Sequence, residues 1–123
     1  MTINKNDIAK IVSEVMYLDD ASAIETARSL FTEYGMSSLD FVDFAFELRN
    51  VTGKTFTPDD LWPVNAMLAD RTCFAAGTWT DIGRAKLEDV FGKDSDIVKG
   101  EPTATELYSH FSIDFIEQRL TAI

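Results

Sequence analysis

Two adjacent serines, Ser37 and Ser38, stand directly before an acidic and apolar stretch in the segment EYGMSSLDFVDF, residues 33–44. A serine at a helix start caps free backbone N–H groups, and acids in the first turn favour the same end of the helix. That position also suits a phosphate linkage, because the free N–H groups and the helix dipole both attract a negative group. The pair therefore indicates either a plain helix start or a hydroxyl that carries a phosphodiester-linked arm.

Three carboxylates follow the serine pair at helical spacing. Asp40, Asp43 and Glu47 lie at i, i+3 and i+7, which places them in a line along one helix face that begins beside Ser38. Such a line is either an ordinary solvated face or a docking site for a basic partner protein, whose association it would accelerate and orient.

Side chains for other chemistry are sparse in this sequence. The chain has one histidine, His110, which lies among aromatic residues, and one cysteine, Cys73, which we interpret as a small packing residue. Asp94 and Asp96 lack the glycine and the terminal glutamate that a calcium loop requires at fixed offsets. Because there is also no glycine-rich phosphate loop, we predict that the chain is not an enzyme and binds no metal.

The charge of the chain limits its partners. Its formal net charge is −10, with 21 acidic residues against 11 basic ones. This charge repels nucleic acid and anionic lipid and favours partners with basic surfaces. The N-terminal residues lack the apolar run of a signal peptide, no stretch is apolar enough to span a bilayer, and a lone cysteine forms no internal disulfide. We therefore expect a cytoplasmic chain, and nothing demands more than a monomer.

The stretch LFTEYGMSSLDFVDF resembles the signature of the acyl carrier protein family. In that signature an aromatic residue, an acid, a glycine and then Asp-Ser-Leu lead into an acidic recognition helix. The positions that follow this pattern in order are Phe31, Glu33, Gly35, Ser38, Leu39 and Asp40. The resemblance implies that Ser38 receives 4′-phosphopantetheine from coenzyme A through a phosphopantetheinyl transferase. It also implies that the thiol of this arm carries acyl groups as thioesters between acyl-loading and acyl-processing enzymes.

The resemblance further implies which residues contact partner enzymes. Asp40 and Asp43 match acidic recognition positions of the family, and Phe41 and Phe46 match positions whose apolar side chains often touch partners. Glu47 falls outside the usual acidic positions, and its inclusion depends on helical spacing alone. The predicted docking residues are thus Asp40, Phe41, Asp43, Phe46 and Glu47.

Ser37 departs from the family pattern, which has aspartate at this position. In the family that aspartate is thought to help the transferase and its magnesium. The departure keeps a second interpretation open, namely a helical interaction module that retains the carrier scaffold and acidic face without being modified. The sequence does not indicate the acyl group or the pathway, whether fatty acid, polyketide or other lipid metabolism.

The elements that must position the serine pair are predicted to be helical. Apolar spacing and capping signals, with Ser22–Glu25 and Thr103–Glu106 as capping boxes, mark the helix starts. Apolar residues cover more than half of the helix after Ser38, which indicates a central place in the core. Residues 71–80 are ambiguous, a loop or a short strand. The predicted helices span residues 8–16, 22–34, 38–50, 57–62, 64–70, 80–91 and 103–120.

Together these features predict an all-α fold over a single domain, residues 1–123. The helix order resembles the four-helix bundle of acyl carrier proteins, with an extra, mainly helical insertion at approximately 62–101 before the last helix. The insertion contains Trp62, Trp79 and Leu87. It either covers additional apolar surface or provides contact with a dedicated partner or shielding of the acyl chain.

Overall fold

Helices dominate the computed structural model, which describes residues 3–123. Residues Phe74–Ala75 (β1) and Thr78–Trp79 (β2) form a small antiparallel hairpin that pairs Phe74 with Trp79. Short 3₁₀ turns occupy Ala21–Ala23 and Asp96–Val98. The helices are α1 (Lys5–Val15), α2 (Ser38–Thr52), α3 (Pro58–Leu61), α4 (Val64–Ala69), α5 (Asp81–Phe91), α6 (Ala104–Tyr108) and α7 (Ile113–Ala122). The predicted all-α class is confirmed, with the hairpin as an addition.

Local capping explains where the main helices begin and end. A reciprocal capping box, in which the cap side chain and the N3 side chain each bind the other's backbone N–H, opens α1, α2 and α3. Pro58 follows the Thr57 cap at the first position of α3, where its fixed φ suits a helix start. Gly53 closes α2 with a φ of 71°, a left-handed conformation that glycine adopts without steric cost.

Four helices enclose the main core. α1 packs against α2 and α7, and α3 packs against α2 and α7. Their inward faces bury large apolar side chains completely, among them Ile8, Phe44, Leu48, Leu61 and Ile116. Because α7 closes the bundle, the residues after position 101 belong to the same packed unit as α1 and α2.

The segment that we predicted as an insertion extends this core. α4 packs on α3 and β1, while α5 packs on β2 and on the second 3₁₀ turn. Trp62 and Trp79 are buried in the same apolar cluster as the bundle. At Gly83 in α5, a Cβ atom would lie 2.0 Å from the carbonyl oxygen of Cys73, so only glycine permits this close approach. The two tryptophans are therefore core residues and not part of an exposed contact surface.

The predicted helix over residues 22–34 is wrong. The structure has a 3₁₀ turn at Ala21–Ala23, followed by turns. Ser22 makes no capping box with Glu25, because its N–H and its hydroxyl both donate to the Asp20 carboxylate, at 2.9 and 2.7 Å. Further along, the Leu30 N–H donates to the carbonyl of Phe111 at 2.8 Å. This non-local bond takes the place of an intrahelical one, so the segment runs irregularly along the bundle.

The predicted last helix is divided into α6 and α7. The break falls at residues 109–112, where Ser112 caps α7 by accepting from the Phe115 N–H at 3.2 Å. The Asp114 N–H in the first turn of α7 donates to the carbonyl of Thr26 at 3.0 Å. This contact ties the irregular segment to α7. Within residues 3–123, no helix combines the length and apolarity needed to cross a bilayer.

Candidate functional site

The two serines at the start of α2 have different roles. Ser37 is the N-cap, with extended backbone, and its Oγ accepts a hydrogen bond from the Asp40 N–H at 3.1 Å. The Asp40 carboxylate accepts in return from the Ser37 N–H, also at 3.1 Å. The structural function of the serine pair, capping the helix, is thus fulfilled by Ser37 alone.

Ser38 occupies the first position of α2, and it is exposed. Among residues 3–123, no group is hydrogen-bonded to its hydroxyl. The first N–H groups of this 15-residue helix have no intrahelical partners, and the dipole places partial positive charge at the same end. A phosphate ester on the Ser38 oxygen would therefore lie in a favourable electrostatic environment.

The other candidate reactive groups lie elsewhere. His110 is exposed and packs edge-on against the ring of Phe91, with centroids 5.8 Å apart. Cys73 is fully buried, and its sulfur lies 3.7 Å from the Asp70 carboxylate. Neither residue lines the cleft that opens beside Ser38, which is described below. Within the described part of the chain, no three His, Cys, Asp or Glu side chains are grouped closely enough to hold a metal ion.

The outer face of α2 combines apolar and acidic side chains. Leu39, Val42 and Phe46 are 79, 50 and 57 % exposed, and Asp43 and Glu47 are exposed among them. Exposed apolar side chains at this density on one helix are typical of an interaction surface, where they form the contact area and the acids set the orientation. We name these five residues the docking face.

Phe41 does not lie on that face, which corrects its predicted role. Its side chain is only 7 % exposed, and its ring lies 5.7 Å from that of Phe31 and 5.5 Å from that of Phe111. The reason is helical geometry, because Phe41 shares the inward side of α2 with Phe44 and Leu48. In this structure Phe41 is a core residue that offers little exposed surface.

Leu39 and Val42 are the residues that sequence reasoning missed, since it counted them with the core. Leu39 precedes Asp43 by four positions, and Val42 precedes Phe46 by four, so both pairs share a helix face. Helical spacing, which placed the acids on one face of the helix, could therefore also have placed Leu39 and Val42 on that face. Asp40, by contrast, is half-buried at the top of the helix, and its carboxylate is engaged in the cap.

A cleft of about 320 Å³ opens beside Ser38. It lies between the start of α2, the irregular segment before α2, α4 and α6. Its residues are Phe31, Thr32, Met36, Ser37, Ser38, Asn65 and Tyr108. An exposed hydroxyl at a helix start, with a mixed polar and apolar cleft next to it, is a suitable attachment point for a phosphate-linked arm.

Comparison with known protein families finds a match that covers the site. The family described as "Phosphopantetheine attachment site" matches residues 6–70, more than half of the 123-residue chain. The matched range extends from α1 to the residue after α4, so it contains the serine pair and also the first nine residues of the segment predicted as an insertion. Searches of curated proteins and of solved structures give no match.

Proposed function

This chain belongs to the phosphopantetheine attachment site family, and we propose that it is an acyl carrier protein whose arm is attached to Ser38. Its cofactor is covalently attached 4′-phosphopantetheine. The observation that supports Ser38 as the attachment point is its exposed hydroxyl at the first position of α2, inside the range that the family matches.

Ser37 is the less suitable of the two serines. Its oxygen already accepts the Asp40 N–H, and this cap is worth about 1 kcal/mol. An arm on Ser37 would have to coexist with that bond at the same atom. Ser38 has no such constraint, so its modification leaves the capping box intact.

The chain's own part in the modification reaction is to present a nucleophile. The Ser38 oxygen forms a bond to the phosphorus next to pantetheine in coenzyme A, the pyrophosphate linkage breaks with adenosine 3′,5′-bisphosphate as the leaving group, and the serine proton passes to a base on the transferase. When attached, the arm supplies a thiol that forms thioesters with acyl groups. The protein then holds the phosphate ester at the positive end of α2 and leaves the acyl chemistry to other enzymes. Carrier domains are generally non-catalytic, and we infer that this chain is a shuttle as well.

We place the contact with partner enzymes on the docking face. Its exposed apolar residues Leu39, Val42 and Phe46 begin directly after the modified serine, so an enzyme that binds there is close to the arm. Asp43 and Glu47 attract basic surfaces and set orientation. The partners are a phosphopantetheinyl transferase and acyl-loading or acyl-processing enzymes with basic surfaces. A face made by one helix is small, which suits short-lived complexes that release the carrier.

For the domain organisation, we propose one carrier domain in which residues 62–101 are an insertion. α1, α2, α3 and α7 then form the bundle, and α4 and α5 add buried surface to the same core. The role of the insertion in this proposal is to cover apolar surface and to form one wall of the cleft beside Ser38.

Modification followed by acyl loading tests the function directly. The purified chain is incubated with coenzyme A, Mg²⁺ and a broad-specificity phosphopantetheinyl transferase, and its intact mass is measured. We expect the addition of one arm, and then of one hydroxylamine-labile acyl group when acyl coenzyme A replaces coenzyme A. The Ser38→Ala variant should gain neither, whereas Ser37→Ala, the matched control, should gain both. A folded wild-type chain that gains no arm with any transferase would instead be an unmodified helical interaction module.

A further inference from the structure

The cleft beside Ser38 has walls that are held in place by contacts beyond the cleft itself. The ring of Tyr108 lies 5.5 Å from that of Phe31 and 6.3 Å from that of the buried Trp62. The Ser29 hydroxyl donates to the Tyr108 carbonyl at 2.7 Å, and the Thr32 N–H donates to the Ser29 hydroxyl at 3.1 Å. The irregular segment and α6 are thereby joined, so the cleft is formed before anything binds.

A polar pair lines this cleft, with one residue from α4 and one from α6. The Tyr108 hydroxyl donates to the Asn65 Oδ1 at 2.6 Å. This bond fixes the orientation of the Asn65 amide, and the Nδ2 group makes no hydrogen bond to any other residue of the range 3–123. The pair therefore offers two unused N–H donors and the remaining acceptor capacity of the Tyr108 oxygen. Next to it, Phe31 and Met36 supply apolar surface.

These groups complement the chemistry of a pantetheine chain, which carries two amides, a hydroxyl and a pair of methyl groups. An amide carbonyl can accept from Asn65, an amide N–H can donate to Tyr108, and the methyl groups can contact Phe31 and Met36. The volume, about 320 Å³, is at the lower end of the range of about 300–1,000 Å³ that ligand pockets occupy. The size suits part of the arm and not a long acyl chain.

We propose that Asn65 and Tyr108 bind the amide-bearing part of the arm attached to Ser38, and that the arm folds back into this cleft when no partner enzyme is bound. The inference depends on the proposed attachment at Ser38. Because Ser38 itself lines the cleft, the arm is tethered at the edge of its own binding site, and its effective concentration there is about millimolar even if each contact is weak. Asn65 lies in α4, in the segment predicted as an insertion, which gives that segment a role at the functional site.

The test uses arm labelled with ¹⁵N and ¹³C, transferred onto the full chain, with intact mass confirming one arm per protein. NMR then measures the contacts of the arm methyl groups with aromatic ring protons and the exchange rates of the two arm amide protons with water. We expect contacts to the rings of Tyr108 and Phe31. One hydrogen bond of about 1 kcal/mol corresponds to a factor of about five, so Tyr108→Phe, which removes the acceptor of an arm N–H, should speed exchange of that amide about fivefold. Asn65→Ala, which removes the donor to an arm carbonyl, should weaken the contacts between the arm methyl groups and the rings of Tyr108 and Phe31.

Asn50→Ala and Tyr17→Phe are matched controls, since both residues are exposed and lie outside the cleft, and they should leave exchange unchanged. An arm that is attached at full stoichiometry but shows free-peptide exchange rates and no ring contacts overturns the inference while leaving the carrier function intact. Equal exchange in the wild type and in Tyr108→Phe, together with unchanged ring contacts in Asn65→Ala, does so as well. Failure of the chain to accept an arm overturns the proposed function and this inference together.

Discussion

The Asp40 backbone N–H donates a hydrogen bond of 3.1 Å to the Ser37 side-chain oxygen, and the Asp40 carboxylate accepts one of the same length from the Ser37 N–H. Two backbone N–H groups at the start of α2, which have no partner within the helix, are hydrogen-bonded in this way without any contribution from Ser38. Ser37 therefore caps the helix, whereas Ser38 keeps a free hydroxyl, and substitutions of the two serines can distinguish these roles.

Replacing each serine by alanine should separate stability from modification. Ser37→Ala removes the cap and should lower the free energy of unfolding by about 0.5–2 kcal/mol, while the chain still accepts an arm. Ser38→Ala should change that free energy by less than about 0.5 kcal/mol and prevent modification. Urea unfolding and intact mass measure the two properties. A Ser38→Ala variant that loses more stability than Ser37→Ala would contradict the assignment of the cap.

Ser37→Asp should speed the transfer of the arm. Aspartate caps a helix about as well as serine, so stability should be retained. The resemblance to acyl carrier proteins assigns the aspartate at this position to the transferase and its magnesium, so the added carboxylate should raise the initial rate of modification. Ser37→Asn is the control, because it caps without adding charge and should leave the rate unchanged. Equal rates for the Asp and Asn variants would show that the carboxylate has no part in the transfer.

Phe41 and Phe46 should respond very differently to truncation, although both lie on α2. Phe41→Ala removes a ring from the cluster with Phe31 and Phe111, and should cost about 3–5 kcal/mol of unfolding free energy. Phe46→Ala removes an exposed side chain, and should cost less than about 0.5 kcal/mol while slowing reactions with partner enzymes. Urea unfolding and the rate of arm transfer are the measurements. Similar losses of stability in the two variants would mean that α2 is rotated relative to this structure.

Reversing the two exposed acids of the docking face should weaken association with the transferase. In the double variant Asp43→Lys, Glu47→Lys, we expect kcat/KM for arm transfer at low salt to fall about tenfold, because charge complementarity raises association rates. The difference should shrink as salt is added. The variant Glu14→Lys, Asp19→Lys makes the same change in net charge at exposed positions off this face. An equal fall in both double variants would indicate a general effect of net charge.

The ion pair between Lys5 and Asp114 should make stability depend on pH at the acidic end. Their Nζ and Oδ1 atoms are 2.9 Å apart, and the hydrogen bond from Lys5 holds the pKa of the Asp114 carboxyl below its ordinary value. The stabilisation is present above the ordinary carboxyl pKa of about 4 and is lost as the pH falls through the lowered value. It should be modest, because both side chains are partly exposed. Urea midpoints of the wild type and Asp114→Asn should therefore differ at pH 7 and converge as the pH falls through the lowered pKa, and a constant difference would contradict the assignment.

Local signals in the sequence were sufficient for the elements around the serine pair. The start of α2 at Ser38 and the Thr57–Pro58 start of α3 follow from capping chemistry, which involves neighbours within a few residues. The exposure of Ser38 and Asp43 follows from the same local geometry. The family signature around Phe31 and Gly35 lies in this stretch as well, within the range that the family matches.

Long-range contacts explain what the sequence did not predict. Leu30 has helical spacing to its neighbours, but its N–H binds Phe111, which is distant in the sequence, and this competes with a local helix. Phe41 and Phe46 are chemically alike, and Phe41 is the buried one because its ring packs against Phe31 and Phe111, which come from other parts of the chain. The cleft pair Asn65 and Tyr108 comes from two elements separated by the hairpin and α5, so no spacing rule could have joined them.

Location of the arm by fragmentation mass spectrometry tests the central claim most directly. The modified chain is digested, and the peptide containing residues 33–44 is fragmented with a method that retains the phosphodiester. We predict that the fragment series changes mass by one phosphopantetheine between residues 37 and 38, which places the arm on Ser38. A series that places the arm on Ser37, or on a peptide outside this stretch, would contradict the account.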